Sequence, residues 1–137
     1  MPCSRLTERL AHHVDGLLQK SQENWEAASL CLSQGLWNAA ASRFYYSVFQ
    51  AILLSATRKP VPGISVPSDS SAKHGLMERV VGAIGKDARR AKRSYGRLLA
   101  LREKADYKPE PVARAEIEMV LQDAKSIRQF FLNRLEA

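Results

Sequence analysis

The sequence predicts an all-α fold, a bundle of about five helices in an up-and-down-like arrangement, and two observations carry that expectation. Apolar residues recur at steps of three and four through most of the 137-residue chain, which places them on one face of a helix with 3.6 residues per turn. No segment of useful length alternates apolar and polar residues with the period of two that a half-buried strand requires. A content of 45% hydrophobic residues fills one core without disulfide or metal, so a single domain over residues 1–137 is expected.

The first helix is read from Leu6, Leu10, Val14, Leu17, Ser21, Trp25, Ala28 and Leu32, a stripe that does not break at Gly16. Gly35 supplies its stop, because glycine takes the left-handed conformation without a Cβ clash. The second helix runs from Leu36 to Ala56 on Leu36, Ala40, Phe44, Val48, Ala51 and Leu54, with Trp37, Tyr45, Tyr46 and Phe49 widening its apolar face. So broad a face needs cover on two sides, which makes this helix either the centre of the bundle or part of a dimer interface. Pro60, Pro62, Gly63 and Pro67 mark the stretch from Arg58 to Ser70 as an irregular loop, long enough for a crossover.

Ser70 or Ser71 can cap a third helix, which buries Leu76, Met77, Val80, Val81 and Ile84 before Gly85 ends it. A fourth helix, about Asp87 to Asp106, places Ala91, Tyr95, Leu98, Leu99 and also Arg102 on one stripe. An arginine on an inward stripe requires a partner. Proline is favoured in the first turn of a helix, so the fifth helix is expected to begin at Pro111, with Ile117, Val120, Leu121, Ala124, Ile127, Phe131 and Leu135 inward.

Lys and Arg total 21 against 14 Asp and Glu, and the resulting +7 attracts polyanions such as RNA or an acidic protein face. Between Lys86 and Arg97 the run of Lys86, Arg89, Arg90, Lys92, Arg93 and Arg97 is opposed only by Asp87. It is either a solvated helix face or a phosphate-binding surface. Cys3 and Cys31 are far apart with no CxxC pair and no histidine at ligand spacing, so reduced thiols and no metal are expected. Charged residues interrupt every apolar stretch in the first twenty positions, which argues against a secretory signal or a membrane span and for a cytoplasmic location.

Three constellations can carry chemistry. In Leu101-Arg102-Glu103-Lys104-Ala105-Asp106-Tyr107, Arg102 and Asp106 are four apart and so neighbours on a helix, with Tyr107 at its end. The guanidinium can hold the carboxylate and still offer N–H groups to a phosphate; alternatively the pair staples the helix end to the bundle. Arg43, Tyr46 and Gln50 form a polar line on an otherwise apolar helix that would face Arg102, unless the tyrosines are core aromatics with hydroxyls at the rim. Lys73 and His74 at a helix N-terminus suit an anion, although a histidine there also serves structure. No phosphate loop, dinucleotide fingerprint, HExxH or serine elbow is present, so those enzyme classes and their cofactors have no support.

Taken in order, Arg43-Phe44-Tyr45-Tyr46-Ser47-Val48-Phe49, Lys73-His74-Gly75-Leu76 and Leu101-Arg102-Glu103-Lys104-Ala105-Asp106-Tyr107 resemble the prokaryotic branch of the HEPN domains, over about residues 20–135. The resemblance implies a bundle of about five helices that often dimerises. It also implies frequent pairing with a small nucleotidyltransferase in toxin–antitoxin or related systems, and binding of nucleotide or RNA. Catalytic members of the wider family are metal-independent ribonucleases that use an arginine followed four to six residues later by a histidine. Arg102 stands where that arginine is expected, but Asp106 and Tyr107 occupy the histidine positions. An ionised aspartate does not pass protons at neutral pH as imidazole does, so a binding role for Arg43, Tyr46, Lys73, His74, Arg102, Asp106, Tyr107 and the basic Arg89, Arg90, Arg93 and Arg97 is expected. A ribonuclease toxin built on Arg102, His74 and Tyr107 and a structural homodimer are the alternatives.

Overall fold

The structure is a computed structural model that describes residues 2–66, 73–84 and 87–136, with the side chains of the first helix described from Gly16 onward. Five helices follow one another: α1 (Pro2–Ser33), α2 (Trp37–Arg58), α3 (Lys73–Ala83), α4 (Ala88–Tyr107) and α5 (Arg114–Arg134). No strand occurs among the described residues, so the fold is the expected all-α bundle. No described helix is long and apolar enough to cross a membrane. Ser70, Ser71, Gly85 and Lys86, expected to cap and terminate α3 and to open the basic run, lie outside the described residues, as does the side chain of Lys73.

The aromatic breadth of α2 is explained by its place at the centre, where it packs against each of the other four helices. Phe44, Tyr45, Val48, Ile52 and Leu54 are all but fully buried, and each large apolar side chain contributes about 1.5–3 kcal/mol on leaving water. Residue pairs fix the helix directions. Ser21 with Ser47 and Asn24 with Arg43 set α1 antiparallel to α2, and Ser42 with Asp106 and Tyr46 with Arg102 set α4 antiparallel to α2. Ser94 with Asp123 and Lys104 with Glu116 set α5 antiparallel to α4. The stretch after Arg58 carries the chain across to α3, which lies against α2 and α4.

Small residues let α1 approach α2 closely. The hydroxyls of Ser21 and Ser47 each donate to the other residue's carbonyl at 2.7 Å, and beside them the Trp25 and Phe44 rings meet edge to face at 4.8 Å. Arg128 ties α5 to this seam by donating to Ser21 Oγ (3.2 Å) and Gln22 Oε1 (2.8 Å) under the Trp25 ring, and its burial lowers its pKa.

Two local expectations are corrected. Leu36, placed at the head of the α2 stripe, is 56% exposed and precedes the helix, which begins at Trp37. The fifth helix starts at Arg114 rather than at Pro111. Val112 is buried and its N–H donates to Asn38 Oδ1 (2.8 Å), which holds the segment extended past the proline. Glu116 then accepts the Ala113 N–H (3.0 Å) and fixes the N-terminus there.

Candidate functional site

Adjacent residues on a helix point about 100° apart, so the Tyr45-Tyr46 pair divides its work. Tyr45 is fully buried and Tyr46 stands half-buried at the rim where α2 meets the end of α4. The antiparallel pairing brings Arg102 to Tyr46 and, one turn on, Asp106 to Ser42. Arg102 Nη2 donates to the Tyr46 hydroxyl at 2.5 Å and to the Tyr107 hydroxyl at 3.3 Å. Its guanidinium carbon lies 5.2 Å from the centroids of both the Tyr46 and Tyr107 rings and 5.8 Å from that of Tyr45, within cation–π range.

Asp106 Oδ2 is 3.1 Å from Arg102 Nε, yet the buried Nε–H has no hydrogen-bond acceptor. The carboxylate therefore acts on the guanidinium as a charge, off the N–H direction, rather than as a bonded partner. Nη1 also makes no hydrogen bond among the described residues. Burial opposes the charge of Arg102, while Tyr46, Tyr107 and Asp106 favour it and prevail, so its pKa lies above the ordinary value. The side chain is 13% exposed: a fixed cation between two tyrosines with donors to spare.

His74, in the first turn of α3, joins the same cluster. Its ring stacks on Phe49 at 4.6 Å and on Tyr45 at 5.5 Å, and its Nδ1 shares a short hydrogen bond with the Tyr45 hydroxyl. That hydroxyl lies 3.2 Å from the Tyr95 hydroxyl. Burial, and then the charge of Arg102, lower the pKa of His74 below its usual 6.5, so the imidazole is neutral at neutral pH. Burial pushes Tyr45 up to about 12 and Tyr95 well above 10.0, so both remain hydroxyls. Protons in the Tyr95–Tyr45–His74 chain can be ordered in either direction. Both orders fill Nδ1 and leave Nε2 as the only ring nitrogen for a ligand.

The structure thus gathers Tyr46, His74, Arg102, Asp106 and Tyr107, and it adds neither Arg43 nor the arginines of the basic run to them. Arg43 is exposed and donates to Asn24 Oδ1 (3.0 Å) instead of facing Arg102. Arg89, Arg90, Arg93 and Arg97 are exposed along α4, and Arg90 is tied to Asp123 at 3.0 Å. Helical rise puts Arg89 roughly 20 Å from Arg102. Sequence reasoning missed Tyr45 and Tyr95 as the support of His74, because residues so far apart in sequence announce no mutual contact. It also missed Asn24, although a polar line on α2 implied a polar counterpart on α1. Among the described residues, no group of three or more His, Cys, Asp or Glu is placed to hold a metal ion.

These motifs on this bundle are those of a known domain. A model of the HEPN domain matches residues 14–135, so the chain belongs to the HEPN domain family. It is also 24% identical, over 138 aligned residues, to a protein of Methanocaldococcus jannaschii that carries the name "Putative toxin MJ0605"; the match spans 96% of this chain and 92% of that protein.

Proposed function

We propose that this HEPN domain is a phosphate-binding module that takes RNA or a nucleotide at Arg102 and acts, as a dimer, beside a small nucleotidyltransferase in a toxin–antitoxin-like system. The observation that carries the reading is the guanidinium itself: charged, held between two tyrosines, with Nη1 left without an acceptor among the described residues. Such a donor set, prepaid in conformational entropy, suits a phosphate better than a flexible lysine would. The +7 charge and the exposed arginines of α4 would draw a polyanion toward it. The similarity to a protein named as a toxin supports the biological setting.

One observation favours a second reading, a metal-independent ribonuclease. His74, carrying an open Nε2, lies at the Tyr46 ring that Arg102 also touches. Arg102 would stabilise the charge developing on phosphate while His74 moves a proton. The purified chain mixed with labelled single-stranded RNAs, without added metal, separates the readings. Retention of intact RNA that weakens steeply with salt is the result expected of the module. Cleavage that disappears in both Arg102→Ala and His74→Ala replaces it with the enzyme, and absence of both binding and cleavage removes both.

A further inference from the structure

Beside the arginine site, a polar groove of about 500 Å³ runs between α1 and α2, lined by Lys20, Glu23, Asn24, Arg43, Tyr46 and Gln50 among others. Tyr46 is common to both places: it walls the groove, and its hydroxyl takes the Arg102 hydrogen bond. A ligand in the groove is therefore one side chain away from a phosphate at Arg102.

The polarity of the groove follows from a chain of hydrogen bonds that fixes itself. Arginine has donors only, so the Asn24 atom that meets Arg43 Nη1 at 3.0 Å is the amide oxygen. The Asn24 amide nitrogen then faces Gln50 at 2.9 Å, and the Gln50 atom there must be its oxygen. The Gln50 NH2 group is left pointing at no acceptor among the described residues, and the same holds for the remaining N–H groups of Arg43 and for the Lys20 ammonium. On the acceptor side stands the Glu23 carboxylate, one oxygen of which takes the Gln19 amide at 3.2 Å. Donors dominate, and the two amides cannot flip without breaking the bond to Arg43.

We propose that this groove reads a base of the RNA whose phosphate lies at Arg102, with Gln50 Nε2 and Arg43 donating to a carbonyl oxygen on the base edge. The proposal rests on the phosphate-binding reading above. Adenine carries no carbonyl oxygen and meets these donors only at its ring nitrogens, so it is the base favoured least; uracil, guanine and cytosine each offer a carbonyl oxygen. Single-stranded RNA is recognised in this way elsewhere, by an aromatic wall and hydrogen bonds to an exposed base edge.

The test is the affinity of oligo-uridylate relative to oligo-adenylate of equal length, measured by fluorescence anisotropy at one salt concentration for the wild type, Gln50→Ala, Gln50→Glu and Arg102→Ala. Gln50 is only half-buried, and a thermal melt confirms that each variant is folded. The uridylate preference is expected to fall by about tenfold in Gln50→Ala, the size of one lost base contact. It should fall further in Gln50→Glu, where an acceptor replaces the donor, whereas Arg102→Ala should weaken both RNAs alike and keep their ratio. A ratio that is the same in wild type and Gln50→Ala overturns the base-reading groove and leaves phosphate binding standing. A wild type that binds neither RNA overturns both.

Discussion

Replacing Arg102 separates its charge from its geometry. Arg102→Ala removes the cation, three ring contacts and the donor Nη1. A hydrogen bond to a charged group is worth about 1.5–3 kcal/mol, so RNA affinity should fall by a factor of roughly 10–150. One lost phosphate contact should also flatten the plot of log affinity against log salt by about 0.7 for a single strand. Arg102→Lys keeps the charge but loses the planar fork and most of the stacking on Tyr46 and Tyr107, so it should keep the salt slope and still lose affinity. Anisotropy titrations across a salt series measure both quantities. The Tyr46 hydroxyl loses its donor in the alanine variant, which costs about 1 kcal/mol of stability and leaves the fold intact. If Arg102→Ala binds within a factor of about two of wild type with the same slope, the phosphate does not lie at this arginine, and the reasoning from its open donors fails.

Three further outcomes follow from the geometry. His74 has a folded pKa below 6.5, so the unfolded chain takes up the proton first as pH falls; the neutral ring's contribution is complete above pH 6.5 and is lost as pH drops through the lowered folded value. Melts between pH 7.5 and 5 should show this acid loss in wild type and not in His74→Gln, and equal profiles would disprove it. Glu116→Ala deletes the acceptor of the Ala113 N–H and the Lys104 partner at 2.9 Å, and should cost about 1 kcal/mol in a urea titration, with an unchanged midpoint refuting its capping role. Phe44→Ala, at a side chain 1% exposed beneath Trp25, should cost about 3–5 kcal/mol in the same titration, and a loss under about 1 kcal/mol would mean the α1–α2 seam is not the core.

What could be read from the chain depended on sequence distance. Helices were legible because their signal is local: the three-and-four spacing that marks α2 as a helix is satisfied by residues within a few turns of each other, whereas the breadth of its apolar face left a central place and a dimer interface both open. The Arg102–Asp106 pair was legible for the same reason, being four residues apart on one helix. The start of α5 was not, because it is decided by Asn38, far away on α2, whose side chain holds the Val112 N–H and overrules proline's preference for a first turn. The support of His74 was illegible too. Tyr45 and Tyr95 lie on two different helices, and nothing in either neighbourhood says that their hydroxyls meet. The expectation that Arg43 faces Arg102 failed on rotation, since a side chain three residues before Tyr46 lies about 60° away around α2, enough to turn it toward α1 and Asn24.

The acidic residue in place of a histidine changes what Arg102 can do without cancelling it. Had Asp106 taken both N–H groups of one edge of the guanidinium in a fork, the arginine would be a closed structural pair and a phosphate would have to displace a carboxylate. Instead Asp106 Oδ2 sits 3.1 Å from Nε away from the N–H direction and receives the Ser42 hydroxyl at 3.3 Å. It orients and partly balances the buried charge while leaving Nη1 without an acceptor among the described residues. That division would suit retention of a phosphate more than turnover, because the carboxylate beside the guanidinium serves to place it, and any proton transfer would fall to His74. On the phosphate-binding reading, steering would come from the exposed arginines up the same helix, with Arg97, Arg93 and Arg89 about 8, 14 and 20 Å of helical rise from Arg102. That reading predicts that capture and placement separate along one helix: substitutions at Arg89 or Arg93 should act on the rate of encounter, and substitutions at Arg102 on how long the phosphate stays.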